Sequence, residues 1–453
     1  MLFHQKNTKT NIFERLTTAR TLMLGYFLFI FIGSFLLILP VSLNGDNKLS
    51  FIDAIFTTSS AISGTGLIVV DTATYFSSFG QLVILILIQI GNVGYMLFFA
   101  LAVILLGGRL SFFNKVMIRE SISTSKLDLK LFTRKVFKYT LIIEAISAIA
   151  LTAYWTSDFG FTEALKQGVF HSISAFCTAG FSLFSDNLVG FSGDYFVNII
   201  MALTSYIGAI GFFVIYDVSM FSKSKLFKRK TRYSLSTHSK LAISVSLMLI
   251  LSASILISFI ELFNNENISN IPLTSAFHSF SASTCVGYNT INLLNLREPS
   301  LLILVFLMFV GASPSGTGGG IKTTVFATLI LALVTFMFDR KNVNVFKRTI
   351  MPVNITRAFS IMLLGLIWVF LTLLTLSITE NHSVLHLLVE VVSAYGNVGL
   401  STGLTYELTF IGKIVLSISM IAGRVGPLII GYTIGGSIKS EFYKYPDANI
   451  LIV

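Results

Sequence analysis

Ser63-Gly64-Thr65-Gly66-Leu67 ends a short amphipathic segment that lies between two long apolar runs. The same ending returns as Cys177-Thr178-Ala179-Gly180-Phe181-Ser182, as Thr284-Cys285-Val286-Gly287-Tyr288-Asn289 and as Gly396-Asn397-Val398-Gly399-Leu400-Ser401. The shared pattern is a small or polar residue, a small or β-branched residue, a glycine and then a large apolar residue. From Gly66 to Gly180, Gly287 and Gly399 the intervals are 114, 107 and 112 residues. A period this regular means four homologous units. One helix–loop connection ending in glycine would carry little weight; four in register, each between two long apolar runs, carry the reading.

Working outward, eight apolar runs flank these endings, at about 21–43, 79–107, 137–156, 195–221, 240–263, 299–337, 358–379 and 409–436. About 20 apolar residues suffice to cross a bilayer. Of the 453 residues 54% are hydrophobic and only 12% charged, against about 25% charged in soluble domains, and the mean hydropathy is +0.81. The expected fold is an all-α integral membrane protein of four pseudo-symmetric helix–pore loop–helix repeats around a central pore. The repeats take 21–107, 137–221, 240–337 and 358–436, with polar ends 1–20 and 437–453. The first 20 residues are polar and basic and lack the order of parts of a signal peptide.

The net charge is +11. Such a balance can mark a nucleic-acid binder, but its placement here argues against nucleic acid as a partner. Lys and Arg gather at Lys6, Lys9, Arg15 and Arg20, across 109–138, 223–240 and 340–357, and at Lys439 and Lys444. Basic loops mark the cytoplasmic side, so a multi-pass protein of the cell membrane with both termini inside is expected. The 223–232 cluster reads as a solvated face or as contact with lipid headgroups. The opposite side carries acids, among them Asp53, Asp71, Asp186, Asp194, Glu261, Glu380 and Glu390, a field that would concentrate cations. Two cysteines, Cys177 and Cys285, are too few for a disulfide framework. Both fall in the repeated endings, where a disulfide would distort the segment, so free thiols are expected.

Irregular backbone at membrane depth survives only where protein buries it or water reaches it. Four related irregular segments therefore converge on one axis, where rings of backbone carbonyls replace a cation's hydration shell. Glycine accepts positive φ without penalty, so successive carbonyls can be aimed alike. Each short helix would turn its partly negative C-terminus to the pore centre, an arrangement suited to cations and not to anions. The candidate ion-binding residues are Gly64, Thr65 and Gly66; Thr178, Ala179 and Gly180; Cys285, Val286 and Gly287; and Asn397, Val398 and Gly399.

The helix after each ending repeats as well. It carries Gln89-Ile90-Gly91-Asn92-Val93-Gly94, then Tyr206-Ile207-Gly208-Ala209-Ile210-Gly211, and in the last unit Ile421-Ala422-Gly423-Arg424-Val425-Gly426-Pro427. Small residues at this spacing let membrane helices approach closely, and packing is the expected role in the first two. In the third unit the counterpart is 311–320, with Gly311, Pro314, Ser315, Gly316, Thr317, Gly318, Gly319 and Gly320 inside a run of nearly forty residues. A helix that long overshoots the bilayer. A broken helix with a loop lining the pore, or a kinked packing interface, would resolve this. Lys322, just after the loop, either snorkels to the cytoplasmic surface or serves a gate. Arg424 is a charge deep in an apolar span, which defaults to a functional role; the other reading is a structural pair with backbone carbonyls. Glu144 is expected to be a satisfied structural carboxylate, and His171, His278 and His386 helix-packing residues. No nucleophile, metal or phosphate-loop constellation stands out, so no enzyme activity and no nucleotide bound by this chain are expected.

With these residues in view, the chain resembles the membrane subunits of the Trk/Ktr/HKT potassium transporter superfamily, and within it the bacterial Ktr branch. The likeness runs from Leu39-Pro40 to Tyr445-Pro446-Asp447. Its most specific stretches are Thr65-Gly66-Leu67 with Val69-Val70-Asp71-Thr72, Ala179-Gly180-Phe181-Ser182, Gly287-Tyr288-Asn289, the run 316–324, and Gly423-Arg424-Val425-Gly426-Pro427-Leu428. The resemblance implies potassium as the ion bound by the filter carbonyls, a homodimer, a cytosolic nucleotide-binding gating ring and sodium-stimulated uptake. It further implies that 311–320 is an intramembrane gate below the filter, with Arg424 facing the pore beside it. The sequence departs from the family pattern at Gly64, Thr284, Cys285 and Asn397. An alternating-access cation symporter is the competing architecture; four parallel units, each with its own re-entrant segment, favour the pore.

Overall fold

The computed structural model describes residues 18–93, 129–226, 233–263 and 270–426. Most of the basic N-terminal cluster, most of the 109–138 cluster, much of the 223–232 cluster, Gly94, Pro427 and the tail lie outside the described residues.

The first repeat consists of α1 (Thr18–Ile38), the pore helix α2 (Phe51–Ser63), a short α3 (Thr72–Tyr75) and α4 (Ser78–Val93). The second has α5 (Leu129–Phe159), the pore helix α6 (Phe161–Phe176), α7 (Tyr195–Ala209) and α8 (Phe212–Leu226). The third has α9 (Thr237–Leu262), the pore helix α10 (Ile271–Thr284), α11 (Glu298–Val310) and α12 (Thr323–Met337). A hairpin of β1 (Asn344–Val345) and β2 (Arg348–Thr349) leads to the fourth, with α13 (Pro352–Thr379), the pore helix α14 (Val384–Gly396) and α15 (Phe410–Val425).

Local chemistry sets the starts. Ser50, Asp71, Asp194, Ser236, Ser383 and Thr409 each cap a helix by accepting a backbone N–H with the side chain, worth about 1 kcal/mol apiece. Proline occupies the first turn of α10, α11 and α13, where its missing N–H costs nothing.

The outer helices α5, α9 and α13 are long and apolar enough to cross a membrane. Their outward faces are apolar: Ile146 and Ile149 on α5, Met248 and Ile255 on α9, Phe370 and Ile378 on α13 are all well exposed. Inward these helices and α1 present polar side chains. Ser34 meets Thr58 at 2.8 Å, Ser147 meets Thr204 at 2.9 Å, Tyr206 meets Ser246 at 3.0 Å, and Trp368 donates to Ser419 at 2.8 Å. Lipid tails offer no hydrophobic drive for helix association, so small residues and interhelical hydrogen bonds of about 0.6 kcal/mol each hold such bundles.

Three of the inner helices are short. α7, α11 and α15 have 15, 13 and 16 residues, about 20–24 Å at 1.5 Å per residue, less than the ~30 Å hydrocarbon core. α7 and α8 meet at 99° across Gly211, whose φ is +102°. Packing alone was the expected role of this glycine; it also breaks the helix. Gly208 and Gly91 do pack, since a Cβ at either would overlap a pore-helix carbonyl, of Phe176 and Ile62 respectively.

Candidate ion filter and gate

The four pore helices end alike. In each, Ser-Ala begins the last turn: Ser60-Ala61, Ser174-Ala175, Ser281-Ala282 and Ser393-Ala394, six residues before the glycine. The alanine carbonyl accepts the N–H of Gly64, Thr178, Cys285 or Asn397, at 3.0–3.3 Å. The serine carbonyl accepts the next N–H, of Thr65, Ala179, Val286 or Val398, at 2.8–3.1 Å. This closes the helix with a left-handed residue: φ is +70° at Gly64, +50° at Thr178, +59° at Cys285 and +52° at Asn397. Side chains at three of these positions cost about 1–2 kcal/mol each, and tertiary contacts hold them. The Ser-Ala pair is absent from the sequence expectations although it recurs without exception. It sits inside apolar helices, where hydroxyls draw little notice.

The next glycine is again left-handed, with φ between +67° and +95° at Gly66, Gly180, Gly287 and Gly399. The space around these four closes a ring. A Cβ on Gly66 would overlap the Ala179 carbonyl oxygen; on Gly180, that of Val286; on Gly287, that of Val398; on Gly399, that of Thr65. Each segment thus lies backbone to backbone on the next repeat, in the order 1–2–3–4–1, with the partial negative ends of all four pore helices directed at the ring. The twelve candidate ion-binding residues occupy this ring and the turn beneath it. Outside it lies a cavity of about 320 Å³, lined among others by Gly66, Gly180, Gly399, Asp71 and Asp186. Among the described residues no group of three or more His, Cys, Asp or Glu could hold a metal ion.

Several other acids named above do not face this cavity freely. Asp53 pairs with Lys413 at 2.6 Å. Glu261 accepts from Ser300 Oγ at 2.5 Å and Arg297 N at 3.1 Å, and Glu380 from Thr409 Oγ1 at 2.6 Å. Glu390 is fully buried behind the fourth segment. The outer field is weaker than a count of carboxylates implies.

Residues 311–322 form an irregular segment between α11 and α12, and its contacts reach the second and fourth repeats as well as its own. Ser313 N donates to Ala209 O and Thr317 N to Gly208 O, both at 3.2 Å. Thr178 Oγ1 donates to Thr317 Oγ1 at 3.0 Å, tying the strained second segment to the loop. A Cβ on Gly318 would crowd Cys285, and one on Gly319 would overlap the Asn397 carboxamide. Gly211, Gly311 and Gly316 are closed in by backbone carbonyls, and Gly320 less tightly. Ser315 O accepts from Phe212 N at 3.0 Å. The loop therefore lies directly against the base of the ring.

Two cations fasten it. Arg424 donates to Thr317 O, and also to Gly91 O and Asn92 O at 3.0 and 2.9 Å, joining the loop to the first repeat. Lys322 Nζ donates to Gly318 O at 2.7 Å and Gly319 O at 3.2 Å. Asn397, where the family pattern differs, donates to Thr65 Oγ1 at 2.9 Å and Met420 O at 2.7 Å, locking the fourth segment to the first. Both cysteines are free and buried; Cys177 donates to Gln89 Oε1 at 3.2 Å. Glu144 accepts from Gln89 at 3.1 and 3.2 Å and is a satisfied carboxyl group. His171 and His278 are buried in α6 and α10, and His386 is partly buried in α14.

Comparison with known proteins converges on one family. The model of the TrkH family, described as cation transport protein, matches residues 7–441. The chain is 35% identical to Ktr system potassium uptake protein B of Bacillus subtilis, over 96% of this chain and 97% of that one. It is 30% identical to the potassium/sodium uptake protein NtpJ of Enterococcus hirae, over 98% and 99%. The crystal structure of the potassium transporter TrkH from Vibrio parahaemolyticus superposes with a TM-score of 0.73 at 18% identity, covering 94% of this chain and 86% of that one. Four repeats closing on one axis, and a sequence match over nearly the whole length, place the chain in the TrkH family of cation transport proteins, as an all-α membrane transporter and not an enzyme.

Proposed function

We propose that this chain carries potassium into the cell through the ring of four filter segments, with 311–322 as the gate beneath it. The observation that carries the reading is the cyclic closure of Gly66, Gly180, Gly287 and Gly399, each with no room for a Cβ. Such a ring fixes the spacing of backbone carbonyls around one axis, and carbonyl rings replace a cation's hydration shell. Relatives named for potassium uptake support the choice of ion, and one named for both potassium and sodium makes sodium the ion to test against it. Twelve residues bind the ion through main-chain oxygen: Gly64–Gly66, 178–180, 285–287 and 397–399. The gate is held shut by Arg424 and Lys322, whose partners are carbonyls of the loop and of the first repeat.

The wider arrangement is a homodimer in the cell membrane, both termini cytoplasmic, opened by a cytosolic nucleotide-binding ring and stimulated by external sodium. The designation of the Bacillus relative as part of a Ktr system supports a separate partner. The chain itself binds no nucleotide. The test is rubidium uptake into liposomes holding the purified chain, with sodium as competitor. Uptake that discriminates against sodium supports the reading; equal passage of both ions overturns it.

A further inference from the structure

Nine residues before each ring glycine stand Thr57, His171, His278 and Glu390, and two residues after it stand Ile68, Ser182, Asn289 and Ser401. The first set lies in the pore helices, behind the segments. The second lines the outer cavity at the ring's rim. In two repeats the pairs are joined, and in two they are not.

In the second repeat His171 is fully buried. Its Nδ1 lies 2.9 Å from Gln167 O and its Nε2 3.0 Å from Ser182 Oγ. A carbonyl only accepts, so Nδ1 carries the proton, Nε2 is the acceptor, and the Ser182 hydroxyl donates to it. Ser182 Oγ in turn accepts the N–H of Phe184 at 2.9 Å. In the fourth repeat Glu390 is also fully buried. Its Oε1 accepts from Ser401 Oγ at 2.6 Å, Thr402 N at 2.9 Å and Thr402 Oγ1 at 3.2 Å, and its Oε2 from Thr405 Oγ1 at 2.8 Å. One carboxyl group thus gathers the whole exit of its segment.

The other two repeats lack the link. His278 places Nδ1 2.8 Å from Thr274 O, but its Nε2 is buried without a hydrogen-bond partner, and the Asn289 side chain turns to Ile291 O at 2.9 Å. Thr57 Oγ1 has no partner either, and Ile68 could offer none. Since the ring runs 1–2–3–4, the joined segments are diagonal to each other.

We propose that His171 and Glu390 are positioning residues that set ion discrimination, by bracing the rims of the second and fourth filter segments through Ser182 and Ser401, a link that the first and third lack although Ser281 Oγ donates to Tyr288 O at 2.7 Å in the third and Asn397 donates to Thr65 in the first. The proposal rests on the filter reading above. A rigid opposed pair holds the carbonyl ring at one diameter against collapse onto a smaller ion. The pair without this rim link can yield there as ions pass.

The test measures rubidium uptake and its inhibition by sodium in liposomes, together with the amount of folded protein, for the full chain and its variants. Ser182→Ala and Ser401→Ala cut the braces and leave almost no cavity. Each is expected to lower the preference over sodium about tenfold, the scale of one hydrogen bond to a buried polar group. Glu390→Ala lowers it at least as far, adding Ser401→Ala to it changes little because both act through one link, and Glu390→Gln, which keeps an acceptor, recovers most of it. His278→Ala, as buried as His171 but unlinked, leaves the preference alone. Unchanged preference in both serine variants overturns the proposal, as does an equal loss in His278→Ala. If Glu390→Ala does not accumulate, the serine variants decide. An unmutated chain that passes both ions equally sinks the filter reading itself, a result distinct from either outcome for the braces.

Discussion

At Gly66 the fit between repeats is decided by the absence of a single carbon. Its φ of +85° disfavours a side chain, and a Cβ would overlap the Ala179 carbonyl oxygen. Gly66→Ser therefore moves that carbonyl. Rubidium uptake is predicted to persist while the preference over sodium falls about tenfold or more, the change expected for a shift of ~1.5 kcal/mol; unaltered preference contradicts the assignment. Arg424 belongs to the same scale. It joins the Thr317 carbonyl to those of Gly91 and Asn92, and hydrogen bonds from a charged donor contribute about 1.5–3 kcal/mol each. Arg424→Ala should raise basal uptake severalfold at normal membrane abundance. Loss of folded protein would assign Arg424 to structure alone. The glycines were legible in the sequence because four of them share a period. The acids were not, because whether a carboxylate faces water or caps a neighbour, as Glu380 does for Thr409, depends on which helix end lies beside it.

The segment 311–322 is the element on which switching depends in this account. It carries hydroxyls and glycines, and its fastenings are few enough to exchange, as a switch of a few kcal/mol requires. Removing 315–318 deletes Thr317, and with it the contacts to Arg424, Thr178 and Gly208. Uptake is predicted to rise and to depend less on any cytosolic partner, with the potassium preference kept. Normal abundance with unchanged or lower uptake would refute the gate. Gly211 gives a second handle: a Cβ there would overlap the Pro314 carbonyl at a φ of +102°. Gly211→Ala should unseat the loop and raise basal uptake, read by the same assay beside abundance; uptake at or below the unmutated level would contradict it. The break in the third inner helix was legible from five glycines in an overlong apolar run. The break at Gly211 was not, because one glycine in an apolar helix reads equally as a packing site, and only the loop lodged against it at Ser315 distinguishes the two.

Across the molecule, four units that share no more than a short pattern are joined by different chemistry at each seam. Lys413 and Asp53 close the fourth on the first. Gln89, between Cys177 and Glu144, joins the first to the second. Tyr288 donates its hydroxyl to Phe181 O at 2.9 Å between the third and the second. The fourfold plan follows from the period alone, whereas these seams follow from no repeat and could not be read in advance. What the seams preserve is one closed ring of backbone, the ring proposed above to select the ion. The direct measurement is rubidium flux into liposomes containing only the purified chain, with sodium, potassium or neither as competitor. Potassium is predicted to abolish rubidium uptake while equal sodium leaves most of it. Equal suppression by the two ions, or no flux from a folded and inserted chain, would contradict it.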